Sequence, residues 1–330
     1  GAGSAPAVVI GGGPWRIEKV AHGVAATNGR AELPLLDGIG ARRGQGESVE
    51  LLRTFDTLRD LYLTDHRLDG NPVVPAAVAM ELMAEVAQRG WPDLQVTGLR
   101  DLQVLKGMII DNGPREVRLA ARAAVEPPHD RLGVDVSVEM TDPANPAHRY
   151  YRATLELSDR IPAPPAYTLP FESDLEPFGL EVPEAYRRYL FHGPLFQGIR
   201  KIQGVCRRGM VADLVPSSPA RCLAGAPAGE WLIDPVVFDS GLQMVILWAR
   251  THLDVTPLPS RYRRYRRFAP LAGSGIRCDL HIQSQTSESL FYIDLLFTAP
   301  DGKLLGWLEG MECPSSRAFN RLAGGHLRSA

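Results

Sequence analysis

The sequence predicts an α+β fold in which two apolar helices are each followed by antiparallel strands able to wrap them. Three observations carry that prediction. Helical periodicity occupies residues 75–89 and again about 235–250, and period-two alternation follows each run. The whole pattern recurs at an offset of about 160 residues, 75 matching 235, 115 matching 275 and 150 matching about 310. The two halves share no repeated sequence, so the repeat is one of architecture.

In the first half, Ala79, Leu82, Met83 and Val86 recur at i, i+3, i+4 and i+7, with Glu81, Glu85 and Gln88 on another face and Gly90 ending the run. Pro75 suits the first helical position, where its fixed φ matches the helix and its missing N–H costs nothing. Strands are expected at 95–105, 115–125, 132–140 and 149–157. Val117, Leu119, Ala121 and Ala123 alternate in one, Val134, Val136 and Val138 in the next, and PPHD and DPANP break the runs. One buried face per strand indicates an antiparallel meander. The segment DRIPAPPAYTLP at 159–170 cannot be a helix interior and reads as an extended linker.

In the second half, Asp234 caps and Pro235 begins a helix that is apolar almost all round, which makes it central. Strands follow near 261–268, 276–284, 290–298 and 303–311. The resulting divisions are an N-terminal extension over 1–32, a first unit over 33–158, a proline-rich linker over 159–175, a second unit over 176–322 and a tail over 323–330. The chain opens on GAGS without a methionine, as a cleaved tag or a segment cut from a longer polypeptide does.

Composition narrows the function. With 330 residues and 45% hydrophobic content the chain can bury a large core. A formal charge of -2 supplies no basic field for nucleic acid or an anionic membrane. Cys206, Cys222, Cys278 and Cys313 lie far apart without zinc-ligand spacing, so no structural metal is expected, and reduced thiols in a cytoplasm are. No apolar run approaches a membrane span. VIGGGP near the start has no βαβ unit after it and reads as a linker.

Chemistry concentrates in LYLTDHRLDGNPVVP, residues 61–75. Gly70 permits a tight turn that aims His66 back at the helix opened by Pro75. Asp239 and Gln243, one turn apart on one helix face, are the only strongly polar side chains inside DPVVFDSGLQMVILWA. A buried carboxylate without a partner is expensive, so Asp239 needs one. Two helix-wrapped sheets side by side would set His66 of one half against Asp239 of the other. His22, His129, His148, His252, His281 and His326 have no such spacing and read as surface or core residues.

These residues resemble the dehydratase domains of modular and iterative polyketide synthases, related to those of polyunsaturated fatty acid synthases. The family's HxxxGxxxxP motif is met by His66, Gly70 and Pro75, and its DxxxQ/H motif by Asp239 and Gln243. Its YGPxFQ motif corresponds to His192, Gly193, Pro194, Phe196 and Gln197, with histidine at the tyrosine position. The likeness runs from about Leu33 to Leu322. It departs at LPLLDG, where the family often has HPLLG, and at Asp234-Pro235, where HPxxxD is common. FHGPLFQ and PAAVAMELMAE look most like iterative members that build polyenes, including enediyne antibiotic and polyunsaturated fatty acid systems.

The resemblance implies a double hot-dog fold, two long helices each wrapped by a curved antiparallel sheet. It also implies dehydration of a 3-hydroxyacyl thioester to the 2-enoyl thioester, with no intrinsic cofactor and the substrate tethered to the phosphopantetheine of an acyl carrier protein. Neutral His66 is the expected base for the C2 proton. Asp239, its pKa raised by apolar surroundings, is the expected acid for the C3 hydroxyl, and Gln243 orients it. Backbone N–H groups near the start of the Pro75 helix are expected to receive the thioester oxyanion. His192 reads either as a pocket-lining residue or as a turn residue before Gly193 and Pro194. Met80, Met83, Phe196 and Leu242 are placed along the acyl chain or, equally, in the core.

The run RYRRYRRF at 261–268 reads either as a docking surface for an acidic carrier protein, through Arg263, Arg264 and Arg266, or as a solvated edge strand. Neighbouring synthase domains and a second copy of the chain are the other partners in view. A product-template-like cyclase, a pyran-forming cyclase and a double-bond isomerase use the same His/Asp pair and stand as alternatives. A catalytically silent docking or dimerisation domain is the non-enzymatic one, and a plain hot-dog thioesterase leaves the histidine motif unexplained.

Overall fold

The computed structural model describes residues 8–9, 14–17, 33–44, 48–110, 113–124, 133–226, 229–287 and 289–324. Most of the expected N-terminal extension and tail, with His22, His129, His326 and most of VIGGGP, falls outside them. The first half supplies β1 (Ser48–Phe55), α1 (Ala76–Gly90), β2 (Gln95–Val104), β3 (Arg115–Ala123), β4 (Gly133–Thr141) and β5 (Arg149–Ser158). The second supplies α2 (Val182–Tyr189), β6 (Ile199–Cys206), β7 (Gly209–Leu214), α3 (Pro235–His252), β8 (Arg261–Arg267), β9 (Ile276–Ser287), β10 (Leu290–Thr298) and β11 (Leu304–Ser316).

These strands form one continuous antiparallel sheet in the order β1-β3-β4-β5-β2-β8-β11-β10-β9-β7-β6. Outward from the seam where β2 meets β8, the order is β2-β5-β4-β3-β1 on one side and β8-β11-β10-β9-β7-β6 on the other. In both halves the strand that follows the helix lies at the seam and the last strand lies beside it, which is the repeat anticipated from the sequence offset. Each helix packs on the strands of its own half, and α1 and α3 also pack on each other. Bulges between β2 and β5 and between β10 and β11 bend the sheet around the helices. The architecture is the double hot-dog.

The helix starts follow from their caps. Asp234 Oδ1 accepts the Val236 and Val237 N–H groups at 2.8 and 3.1 Å, Pro235 opens α3, and every residue from Pro235 to Ala249 is buried. Pro75 sits one residue earlier than expected. With φ -62° and ψ 143° it is the N-cap of α1, its carbonyl accepting the Ala79 N–H at 3.0 Å, and Ala76 is the first helical residue.

Glu81, Glu85 and Gln88, on another face of α1, are not exposed, because chain segments cover them and donate to them. The Glu81 carboxylate accepts Leu232 and Ile233 N–H at 2.9 and 2.7 Å, and that of Glu85 accepts Leu35 and Leu36 N–H, each at 3.1 Å. Gln88 donates to the Leu94 carbonyl at 2.6 Å and accepts from Val96 N–H at 3.2 Å. Nor is β8 an edge strand: it pairs with β2 on one side and β11 on the other, at the centre of the sheet.

Candidate active site

His66 is aimed by a hairpin. Arg67–Leu68 and Asn71–Pro72 pair antiparallel across Asp69 (φ 50°) and Gly70 (φ 83°). Two successive positive φ values make the tight turn that matches strand twist, and glycine enters that region without steric cost. The hairpin returns Val73 over His66, whose Nδ1 donates to the Val73 carbonyl at 2.8 Å. That bond leaves Nε2 with its lone pair free to act as a base.

His192 arrives from the second half. It forms a single antiparallel bridge with His66, and the ring centroids are 5.4 Å apart. Asp65 holds the segment in place: its carbonyl accepts the Gly193 N–H at 2.7 Å and its Oδ2 accepts the Leu195 N–H at 2.6 Å. A Cβ at Gly193 would overlap the Asp65 carboxylate, so this approach requires glycine. Pro194–Phe196 then form one 3-10 turn.

Asp239 completes the group from α3. Its Oδ2 lies 3.2 Å from His192 Nε2 and accepts from Gln243 Nε2 at 2.7 Å. Gln243 Nε2 also donates to the Phe196 carbonyl at 2.8 Å, while Gln243 Oε1 accepts the Tyr186 hydroxyl proton at 2.8 Å. Tyr186, on α2, in turn accepts the Ile199 N–H at 3.1 Å. One polar atom each of His66, His192 and Asp239 lies within 4.8 Å of the others. Two imidazoles and a carboxylate also have the composition of a cation site, in which Asp239 Oδ2 already meets His192 and Gln243.

Burial lowers the His66 pKa to about 4, against the attraction of Asp239 and with repulsion from His192 added, so the ring is neutral near pH 7. Asp239 corrects an expectation. Burial pushes its pKa up as anticipated, but the charge and hydrogen bond of His192, the charge of His66 and the Gln243 donor outweigh it and hold the carboxyl below its ordinary range.

The three residues open on a cavity of about 210 Å³ whose other walls are mostly apolar, among them Val74, Phe191, Leu242, Ile246 and Met311. Leu242 lines it as expected, whereas Met80, Met83 and Phe196 are fully buried in the core and do not. Arg263, Arg264 and Arg266 are not among its walls. Arg264 pairs with Glu156 at 3.2 Å and Arg266 with Glu309 at 2.5 Å, so much of that charge is offset locally. Sequence reasoning missed Asp65 and Tyr186. Adjacency to His66 was the only signal for the first, and α2, short and half exposed, offered none for the second.

The comparisons agree with the fold. The family model described as polyketide synthase dehydratase domain matches residues 34–139, and that described as polyketide synthase dehydratase N-terminal domain matches 168–321. A polyunsaturated fatty acid synthase subunit of Thraustochytrium sp. is 27% identical over 235 residues, which are 68% of this chain and 8% of that protein. Among solved structures, the dehydratase domain from the CurF module of curacin polyketide synthase superposes with a TM-score of 0.66 at 15% identity, covering 86% of this chain and 99% of that one. The dehydratase domain of a mycocerosic acid synthase-like polyketide synthase gives 0.64 at 20% identity, covering 88% and 98%. With two adjacent family models spanning both halves, and a fold shared with these domains, the chain belongs to the polyketide synthase dehydratase domain family.

Proposed function

We propose that the chain removes water from a 3-hydroxyacyl thioester, carried on the phosphopantetheine arm of an acyl carrier protein, to give the 2-enoyl thioester. One observation carries this reading: His66 and Asp239, from opposite halves, meet in one apolar cavity. His66 Nε2 takes the C2 proton, since the Val73 bond fixes its tautomer and burial keeps it neutral. Asp239, oriented by Gln243, accepts a hydrogen bond from the C3 hydroxyl and sets the leaving oxygen opposite the base. Val74 and Ala76 bring the N-terminal end of α1 to the cavity, where backbone N–H groups and the positive end of the helix dipole favour the enolate oxygen.

A chain covering 8% of a polyunsaturated fatty acid synthase polypeptide supports a place within a larger synthase, with an acyl carrier protein and neighbouring domains as partners. The test is incubation with a 3-hydroxyacyl carrier protein followed by mass analysis. Loss of one water supports dehydration. Retained mass with a relocated double bond or a new ring would instead favour isomerase or cyclase chemistry, and no change at all the silent-domain reading.

A further inference from the structure

His192 stands where the family motif has tyrosine, and its contacts differ from those of His66. His66 Nδ1 is tied to a backbone carbonyl, which fixes where its proton sits. Among the described residues, His192 Nδ1 is buried with no hydrogen-bond partner, and Nε2 meets only Asp239 Oδ2. No backbone group therefore locks its tautomer. Among the described residues, the titratable groups that face the pair are His66 across the cavity, Tyr151 from β5, Tyr186 from α2, Tyr262 from β8 and Cys313 from β11. Gln243 adds a neutral donor, and no lysine or arginine among the described residues lines the cavity.

A carboxylate held ionised cannot by itself give the leaving hydroxyl its proton. That gap points to the ring beside it. We propose that His192 is a third catalytic residue of this chain, sharing with Asp239 the proton that the departing C3 hydroxyl takes up. The proposal rests on the dehydratase reading.

The step balances without an outside reagent. The His66 Nε2 lone pair takes the C2 proton, and the C2–H electrons become the C2=C3 bond. The C3–O bond breaks, and its electrons leave on an oxygen that takes a proton from the bridge between His192 Nε2 and Asp239 Oδ2. Enoyl thioester and water result. His66 then holds one extra proton and the His192–Asp239 pair lacks one. Transfer between groups that lie within 4.8 Å of one another restores the start.

The test is His192→Ala with a 3-hydroxybutyryl pantetheine thioester, measured with and without added imidazoles of graded basicity. We expect kcat to fall by about 10²–10⁴-fold, the range for losing a general acid, and added imidazole to restore at least about tenfold, the rate constant per imidazolium rising with its acidity. A merely structural histidine would give no rescue that tracks imidazolium acidity, and that result, or a kcat within about threefold of the parent, overturns the proposal. The parent run alongside separates the readings: if it releases no water from the thioester, the dehydratase assignment itself fails, whatever His192→Ala does. Should His192→Ala not fold, His192→Tyr decides, because a phenol titrates about three units above an imidazole. The alkaline limb of its pH–kcat profile should move up by at least about one unit, and an unmoved limb overturns the proposal.

Discussion

The Asp65 carbonyl accepts the Gly193 N–H at 2.7 Å while the Asp65 carboxylate accepts Leu195 N–H at 2.6 Å, so the residue beside one site histidine anchors the loop that carries the other. The space is closed to any side chain at Gly193. Gly193→Ala should push the loop off Asp65, displace His192 and lower kcat by at least about tenfold, with a stability loss of about 1–3 kcal/mol typical of overpacking. Parent-like kcat in a folded Gly193→Ala protein would show that the Asp65 clamp does not position the site.

Tyr186 supports the far side. Its hydroxyl donates to Gln243 and accepts from the Ile199 N–H, so Tyr186→Phe frees the amide that orients Asp239 and strands a backbone donor. A stability loss of about 1–3 kcal/mol is expected from the stranded donor, together with a fall in kcat at little change in KM. Urea unfolding and steady-state kinetics check both. Unchanged stability would mean that the Ile199 N–H finds another acceptor.

Stability should depend on pH through Glu81. Burial pushes this carboxyl up from 4.5 to about 8, although the Leu232 and Ile233 N–H bonds and Arg267 oppose the shift. Between those values the folded chain keeps a proton that the unfolded chain has lost, so this group's contribution falls as pH rises through the window. Glu81→Gln removes the titration and should lose less stability than the parent between about pH 5 and pH 8 in urea unfolding. Equal losses would place the carboxyl's titration elsewhere.

Both long helices and eight strands were legible because they follow simple periods, and the offset between the halves exposed the repeat. The missed strands break the period for physical reasons. In β1 the inward positions include Arg53, fully buried over the Phe55 ring at 4.3 Å and hydrogen-bonded to Asp60 at 2.9 Å, so a charge stands where alternation calls for an apolar residue. The sequence IRKIQGVC of β6 shows no clean alternation either. At the site, the proximity of His66 and Asp239 followed from motif and fold together. The depressed Asp239 pKa did not, because apolar neighbours along α3 predict the opposite shift and His192, 47 residues away in the chain, reverses it.

The measurement that bears most directly on the pairing of His66 with Asp239 is turnover of a C2-deuterated 3-hydroxyacyl thioester by the parent, His66→Ala and Asp239→Asn proteins, each shown folded by circular dichroism. The parent should release water and lose the C2 deuterium. His66→Ala should do neither, and Asp239→Asn should be slower by about two to four orders of magnitude. Near-parent turnover by either variant would contradict the assignment of these two side chains to the reaction.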